Sequence, residues 1–271
     1  MPKFLQSTFV TSGDNGILHA LLSPAVVTTT LSGGATVTVD CQTNYPFENT
    51  LFYDVTADSA FDLLVRVPDW TNSAELASNH GHGSTIPDGL MKISLPQGTS
   101  RVMYTLNTDI RTTPRANDTI AIYHGQLLYA LEVGSHVTST GPHVYNTQQL
   151  HPEGYAPPQS RDYDMLNTTE WNVAIDPSTL KYVHRSPQNY TIDSTPQAMT
   201  GPMFASGAPP NSITAKACLI DWALLVNGSV PAGPPTGEAR KCLGEAFDVK
   251  LVPYGSAKLR MAELPTIELD H

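Results

Sequence analysis

The chain has 271 residues, 40% of them apolar and only 15% charged. At roughly 150 residues per domain this is two domains or one large β domain, either able to bury a core, and the composition excludes a charge-rich disordered chain or a coiled coil. A formal net charge of -10 with no run of Lys or Arg opposes phosphate backbones, so nucleic acid is not an expected partner.

The N-terminal Met1-Pro-Lys-Phe-Leu-Gln-Ser-Thr8 segment carries one Lys and no apolar region of signal-peptide type before the polar Gln6 to Asn15 stretch. Phe4, Leu5 and Phe9 share a helical face, so the first residues read as the end of a helix. The stretch Ile17 to Val39, free of Asp, Glu, Lys and Arg, is broken by Pro24, Gly33, Gly34 and hydroxyl residues. It reads as strands, and no membrane association is expected.

Ala35 to Cys41 alternates cleanly, which puts Val37, Val39 and Cys41 on a core and Thr36, Thr38 and Asp40 outward. Strands are expected next at Leu51 to Val55, Ala60 to Val67, Gly89 to Leu95, Arg101 to Leu106, Thr119 to Tyr123 and Gln126 to Val133. Each is bounded by Pro, Gly, Asn or Asp. His124-Gly125 marks a tight hairpin or bulge between the last two. From Ser135 to Ser160 the pairs Gly141-Pro142, His151-Pro152 and Pro157-Pro158 predict a loop-rich stretch. Strands resume at Trp171 to Ile175, Leu180 to His184, Ile213 to Leu225, Phe247 to Pro253 and Lys258 to Leu264. The expected architecture is all-β: two packed β-sandwich-like domains with little helix, residues 1–134 and a loop-rich 135–271.

Four Asn-x-Ser/Thr sequons, at Asn117, Asn167, Asn189 and Asn227, favour a secreted, glycosylated protein. The chain shows no secretion signal of its own. Cys41 stands alone. Cys218 and Cys242 lie 24 apart around a Gly/Pro-rich loop: either two buried thiols or, in an oxidising compartment, a disulfide contributing roughly 3–4 kcal/mol by loop closure. No Cys-x-x-Cys occurs.

Chemistry-bearing patterns are sparse. A glycosidase usually sets two carboxylates across one sugar. Asp162 and Asp164 would share a face in a strand, but within Arg161-Asp-Tyr-Asp-Met they read as solvated loop acids. His80-Gly-His82 offers two imidazoles in a Gly/Ser loop with no third ligand nearby, so it reads as a polar surface loop. There is no Gly-x-Ser-x-Gly elbow, no P-loop and no dinucleotide fingerprint. Tyr45, Phe47, Phe52, Tyr53 and Trp70 could stack on sugars. A sandwich core nevertheless needs fillers at Tyr53, Phe61 and Trp70, so core packing is the expected role of most of these rings.

Tyr45-Pro-Phe-Glu-Asn-Thr-Leu and Phe61-Asp-Leu-Leu-Val-Arg-Val-Pro-Asp-Trp70 resemble the β-sandwich of glycoside hydrolase family 127, the β-L-arabinofuranosidase-like proteins once classed as a domain of unknown function. His124-Gly-Gln-Leu-Leu-Tyr-Ala-Leu-Glu132 is similar to the family's Arg-Gly-Pro-Leu-Val-Tyr segment, with Gln126 where Pro is common. Leu251 to Arg260 resembles its closing strands, in what reads as a fungal form. The resemblance implies a parent with an (α/α)6 barrel that carries a cysteine nucleophile and a zinc site, followed by β-sandwich domains. Pro2-Lys-Phe4 looks like the segment after the barrel's cysteines, so residues 1–15 would be the tail of a barrel helix. Cys41, Cys218 and Cys242 match none of the family's reacting cysteines. No catalytic or metal-ligating residue is therefore carried over, and zinc is expected only in the barrel.

Three readings follow. The chain is an inactive β portion of a secreted family 127-like hydrolase, with the barrel as its partner; or it is a stand-alone carbohydrate-binding module; or it is an enzyme using Asp162, Asp164, His80 or His82. The first predicts an exposed apolar patch of interface size.

Overall fold

Alternating branched and polar residues, broken by Gly, Pro and Asn, make most of this chain strand. The computed structural model describes it over residues 2–184, 189–199, 201–205, 207, 209–225 and 230–269. The fold is all-β; its one α-helix among the described residues is the short Pro2–Gln6. The chain divides into two compact units. One comprises Met1–Arg111, Tyr123–Leu127 and His184–Met203, the other Thr112–Ile122, Leu128–Val183 and Phe204–His271.

The first unit holds two sheets. One runs in the order Phe9–Ser12, Gly16–His19, Phe61–Arg66, Leu90–Leu95, Ser84–Ile86; the other Ala25–Thr30, Thr36–Thr43, Thr50–Ala57, Gly98–Asn107, Ser73–Ser78, Gly81–His82. All of these pairings are antiparallel except Gly16–His19 with Phe61–Arg66. Val37, Val39, Cys41, Tyr53, Val55, Leu63, Val65, Ile93 and Tyr104 come from both sheets and form one buried cluster. The two sheets are thus the layers of a sandwich. The strand Thr36–Thr43 buries Val37, Val39 and Cys41 and turns Thr36, Thr38 and Asp40 outward, the alternation its sequence predicts. At the N-terminus the helix ends at Gln6, and Phe9 starts a strand whose register pairs Val10 with Leu18. Phe9 therefore parts from Phe4 and Leu5, which stand exposed.

The second unit is built on a nine-stranded sheet ordered Ile110–Arg115, Thr119–His124, Leu127–Val133, Phe247–Pro253, Asn211–Leu219, Val173–Ile175. Lys181–His184, Leu259–Met261 and Glu263–Pro265 join its sides. Tyr129, Leu131, Ile213, Ala217, Leu251 and Leu264 are buried. Gly125, at φ 57°, makes the turn between Thr119–His124 and Leu127–Val133, a conformation that costs Gly nothing.

One expectation is corrected here. The stretch from Ser135 is not all loop: Ser135–Thr140 pairs antiparallel with Asp162–Asn167 in a separate two-stranded sheet. Asp162 and Asp164 are strand residues. Every residue of Asp162–Asn167 is exposed, so the strand lacks the half-buried alternation by which strands are recognised.

Candidate functional site

The rings considered for stacking on sugars are mostly core. Tyr53, Phe52, Phe61 and Phe47 are buried, and Tyr45 and Trp70 pack against the cluster from its side. Tyr53 is the centre of a sealed polar group. Its hydroxyl lies 2.9 Å from His19 Nδ1, it hydrogen-bonds the thiol of Cys41, and Phe9 stacks on the His19 ring at 4.4 Å. Burial lowers the His19 pKa to about 4 and pushes the Cys41 thiol far up. Such a thiol is inert as a nucleophile.

Gly81–His82 is a short exposed strand paired with Ser73–Ser78. His82 Nδ1 is 4.0 Å from Glu75 Oε1, with both side chains mostly in solvent. Among the described residues no group of three or more His, Cys, Asp or Glu side chains could hold a metal ion. Cys218 and Cys242 are joined in a disulfide, with Cα atoms 5.5 Å apart, and Cys41 is alone and buried. The cysteines of this chain therefore do not fit a zinc–thiolate centre. Asn117, Asn167 and Asn189 are exposed. Asn117 adopts φ 57°, and its carbonyl accepts from Arg240 Nη2 at 2.7 Å. Asn227 lies outside the described residues.

A further enclosed acid and imidazole of the first unit are ones the sequence did not single out. Glu48 Oε2 accepts from the Tyr190 hydroxyl at 2.7 Å and from Asn44 Nδ2 at 3.0 Å. His184 Nε2 stands 3.9 Å from Glu48 Oε1, the two side chains only 14% and 11% exposed. Burial and the Glu48 acceptor raise the Tyr190 pKa. Burial lowers that of His124 to about 4, with Asp109 opposing the shift and His184 reinforcing it. Asn44 also donates to Gln197 O at 2.9 Å and accepts from Met199 N. Arg101 Nη2 donates to Ser194 O at 2.6 Å. These bonds bind residues 190–199 to the outer side of the six-stranded sheet. A groove of about 460 Å³ remains beside them, lined by Val26, Asp40, Cys41, Gln42, Pro196 and Ala198 among others.

Asp40 and Asp54 face each other across neighbouring strands. Gln42 Nε2 bridges their carboxylates at 3.4 and 3.2 Å, and Arg101 Nε lies 3.7 Å from Asp54. A general acid needs an enclosed carboxyl whose neutral form is favoured. Asp54 is half in solvent beside a guanidinium, the opposite environment. The amide and the guanidinium offset a like-charge pair, and the Glu48 cluster acts as a clamp on a returning segment. Neither arrangement sets two carboxylates across an empty sugar-sized space.

In the second unit His143 donates both its backbone N–H, at 2.8 Å, and Nδ1–H, at 2.9 Å, to Asp162 Oδ2. These bonds lower the Asp162 pKa, so it stays a carboxylate. Asp164 lies opposite Thr138 in the ribbon.

No protein-family profile matches the sequence, and no curated protein matches it. Solved structures do. A GH127 β-L-arabinofuranosidase from Geobacillus stearothermophilus T6 superposes with a TM-score of 0.58 at 16% identity, over 97% of this chain and 35% of that one. A glycoside hydrolase gives 0.59 at 14% identity, over 96% and 37%. A second GH127 β-arabinofuranosidase gives 0.56 at 11% identity, over 96% and 36%. This chain has the fold of part of a family 127 glycoside hydrolase. It spans little more than a third of the length of these proteins, and at such identities the likeness is one of fold.

Proposed function

We propose that the chain is the non-catalytic β-sandwich portion of a family 127-like glycoside hydrolase whose parent cleaves L-arabinofuranosyl or related glycosides. The observation that carries this reading is the superposition of 96–97% of the chain on about a third of such enzymes. Two features support it. Cys41 and the disulfide-bonded Cys218 and Cys242 cannot supply a reacting thiolate, and Glu48, Asp40, Asp54 and Asp162 are clamped or solvated rather than opposed across a cleft. In addition, the N-terminal part of the first unit exposes Phe4 and Leu5 at 70% and 65%, with Val10 and Val26 also bare. Apolar surface of this kind suits a covering domain, and in this reading an (α/α)6 barrel with its own zinc site covers it.

The parent is secreted in this reading, and Asn117, Asn167 and Asn189 are glycan acceptors; the fungal origin is part of the same proposal. Purified chain assayed at high concentration with an aryl L-arabinofuranoside should show no turnover. Hydrolysis that disappears on Asp164→Asn would replace the reading with that of an enzyme complete in itself. Expression through a secretory pathway should add mass removable by an N-glycanase.

A second reading, a carbohydrate-binding module, is favoured by one observation. Of the four exposed tyrosines among the described residues, Tyr145, Tyr155 and Tyr163 all lie between residues 135 and 167.

A further inference from the structure

The two-stranded ribbon Ser135–Thr140 with Asp162–Asn167 extends into a small hairpin. His143 bridges Leu150, Val144 N donates to Gln149 O at 2.8 Å, and His151 N donates to Pro142 O at 2.9 Å. A two-stranded sheet bare on both faces is marginal by itself, so this arm depends on its side-chain bonds. At the junction of ribbon and hairpin they converge on Asp162. His143 fixes that carboxylate with two bonds through one oxygen, leaving Oδ1 free to accept more. His151 lies near enough to contribute to the field at Asp162. The Tyr155 ring stacks on the His151 ring at 3.5 Å and 3° between planes.

That stack has a consequence. One face of Tyr155 is covered by imidazole, yet the residue remains 63% exposed. The result is an aromatic ring oriented by its stack on His151, on the same arm as a carboxylate oriented by His143 with acceptor capacity to spare. A ring packed in a core cannot offer this, and a solvated tyrosine without the stack would not be preorganised. Sugar units present a face of C–H bonds to an aromatic ring and hydroxyl donors at their rim. A carboxylate takes those donors in charge-assisted bonds.

We propose that Tyr155, His151, Asp162 and His143 form a surface subsite for one unit of a neutral glycan, the sugar face lying on Tyr155 and its hydroxyls donating to Asp162. This rests on the carbohydrate-related reading above and goes beyond it, because the subsite needs no barrel. Tyr145 and Tyr163, 88% and 59% exposed on the same arm, extend the aromatic surface available to a longer chain.

Affinity electrophoresis of the full chain through gels containing soluble arabinan, xylan or dextran tests it. Retardation of the unaltered chain in at least one gel is expected. Tyr155→Ala should weaken it about tenfold, the scale of truncating an aromatic anchor. Tyr155→Phe, which keeps the ring, should retain it, and Asp162→Asn should weaken it severalfold. Melting curves show that each variant is folded, and the isosteric Asp162→Asn keeps the test readable if Tyr155→Ala is not. Unretarded migration in all three gels, or equal retardation of Tyr155→Ala and the unaltered chain, overturns the subsite while leaving the accessory-domain reading on its own ground of fold. Retardation by xylan or dextran but not by arabinan upholds the subsite and counts against an arabinofuranosyl parent.

Discussion

Two groupings of imidazole and tyrosine in this chain have different fates. In the first unit His19 and Tyr53 are hydrogen-bonded at 2.9 Å inside the sandwich, with Phe9 stacked on the imidazole. In the second unit His151 and Tyr155 stack at 3.5 Å on an arm open to solvent, next to a His143–Asp162 pair. The residue types are nearly the same. In the core, burial suppresses charge and makes Tyr53 a filler whose hydroxyl needs a partner. On the arm, water screens charge and leaves ring and carboxylate available. Residue chemistry therefore becomes function only through exposure, and the two sites should respond to the same substitution in opposite ways.

The largest expected effect is at Tyr53. It is completely buried among side chains of both sheets. Tyr53→Ala should destabilise the first unit by about 3–5 kcal/mol, as large aromatic deletions from cores do, measured by urea unfolding. A cost below about 1 kcal/mol would mean that the sandwich is not packed around this ring. Next is the covalent link of the second unit. Replacing Cys218 and Cys242 by Ser should cost about 3–4 kcal/mol, from loop closure over their separation of 24. A melt unchanged by reducing agent would show that the loop is held without it.

Acid should distinguish the sites as well. Folded His19 takes a proton only near pH 4, whereas an ordinary imidazole does so near 6.5. Between these values the unfolded chain binds more protons than the folded one, so stability falls as pH drops from 6.5 to 4. The loss for this one group is about 3 kcal/mol, with the full contribution present above 6.5. His19→Gln should flatten that slope in urea midpoints taken across the interval. On the arm the sign comes from a carboxylate instead. Asp162 is held below its usual range by His143, so its contribution persists to lower pH and disappears only as the acid itself protonates. Chemical shifts of Asp162 should follow a transition separate from that of His19.

Much of the sandwich was legible because its strands are half buried. Val37, Val39 and Cys41 alternate with polar residues because one face packs and the other does not, and Phe247–Pro253 emerges with the bounds its apolar run predicts. The ribbon was not legible. Asp162–Asn167 exposes every residue, and its strand character comes from pairing with Ser135–Thr140, which periodicity does not record. The clamp was hidden for another reason. Glu48 lies more than a hundred positions from Tyr190 and His184, and residues 190–199 are held by polar bonds and one edge-on ring contact of Tyr190 with Phe52 rather than by an apolar stripe. Asp40 and Asp54, directly opposite in register, required the strand pairing as well.

That clamp provides an intermediate prediction. Tyr190→Phe removes the 2.7 Å bond to Glu48 and leaves an enclosed carboxylate with one acceptor site unmet, at a cost of about 1–2 kcal/mol. Faster amide exchange in the segment containing Thr191 and Ser194 should accompany it if the hydroxyl holds that segment in place.

The smallest expected effect completes the contrast with Tyr53. Tyr155→Ala deletes a ring of the same size, but one that leaves no buried cavity, because the residue is 63% exposed. Global stability should change by no more than about 0.5 kcal/mol, the range of surface substitutions. The free energy that ring contributes lies in whatever it contacts from outside, not in folding. A loss of several kcal/mol at Tyr155 would mean that the stack on His151 organises the arm from within; the ring would then be structural, and its exposure incidental.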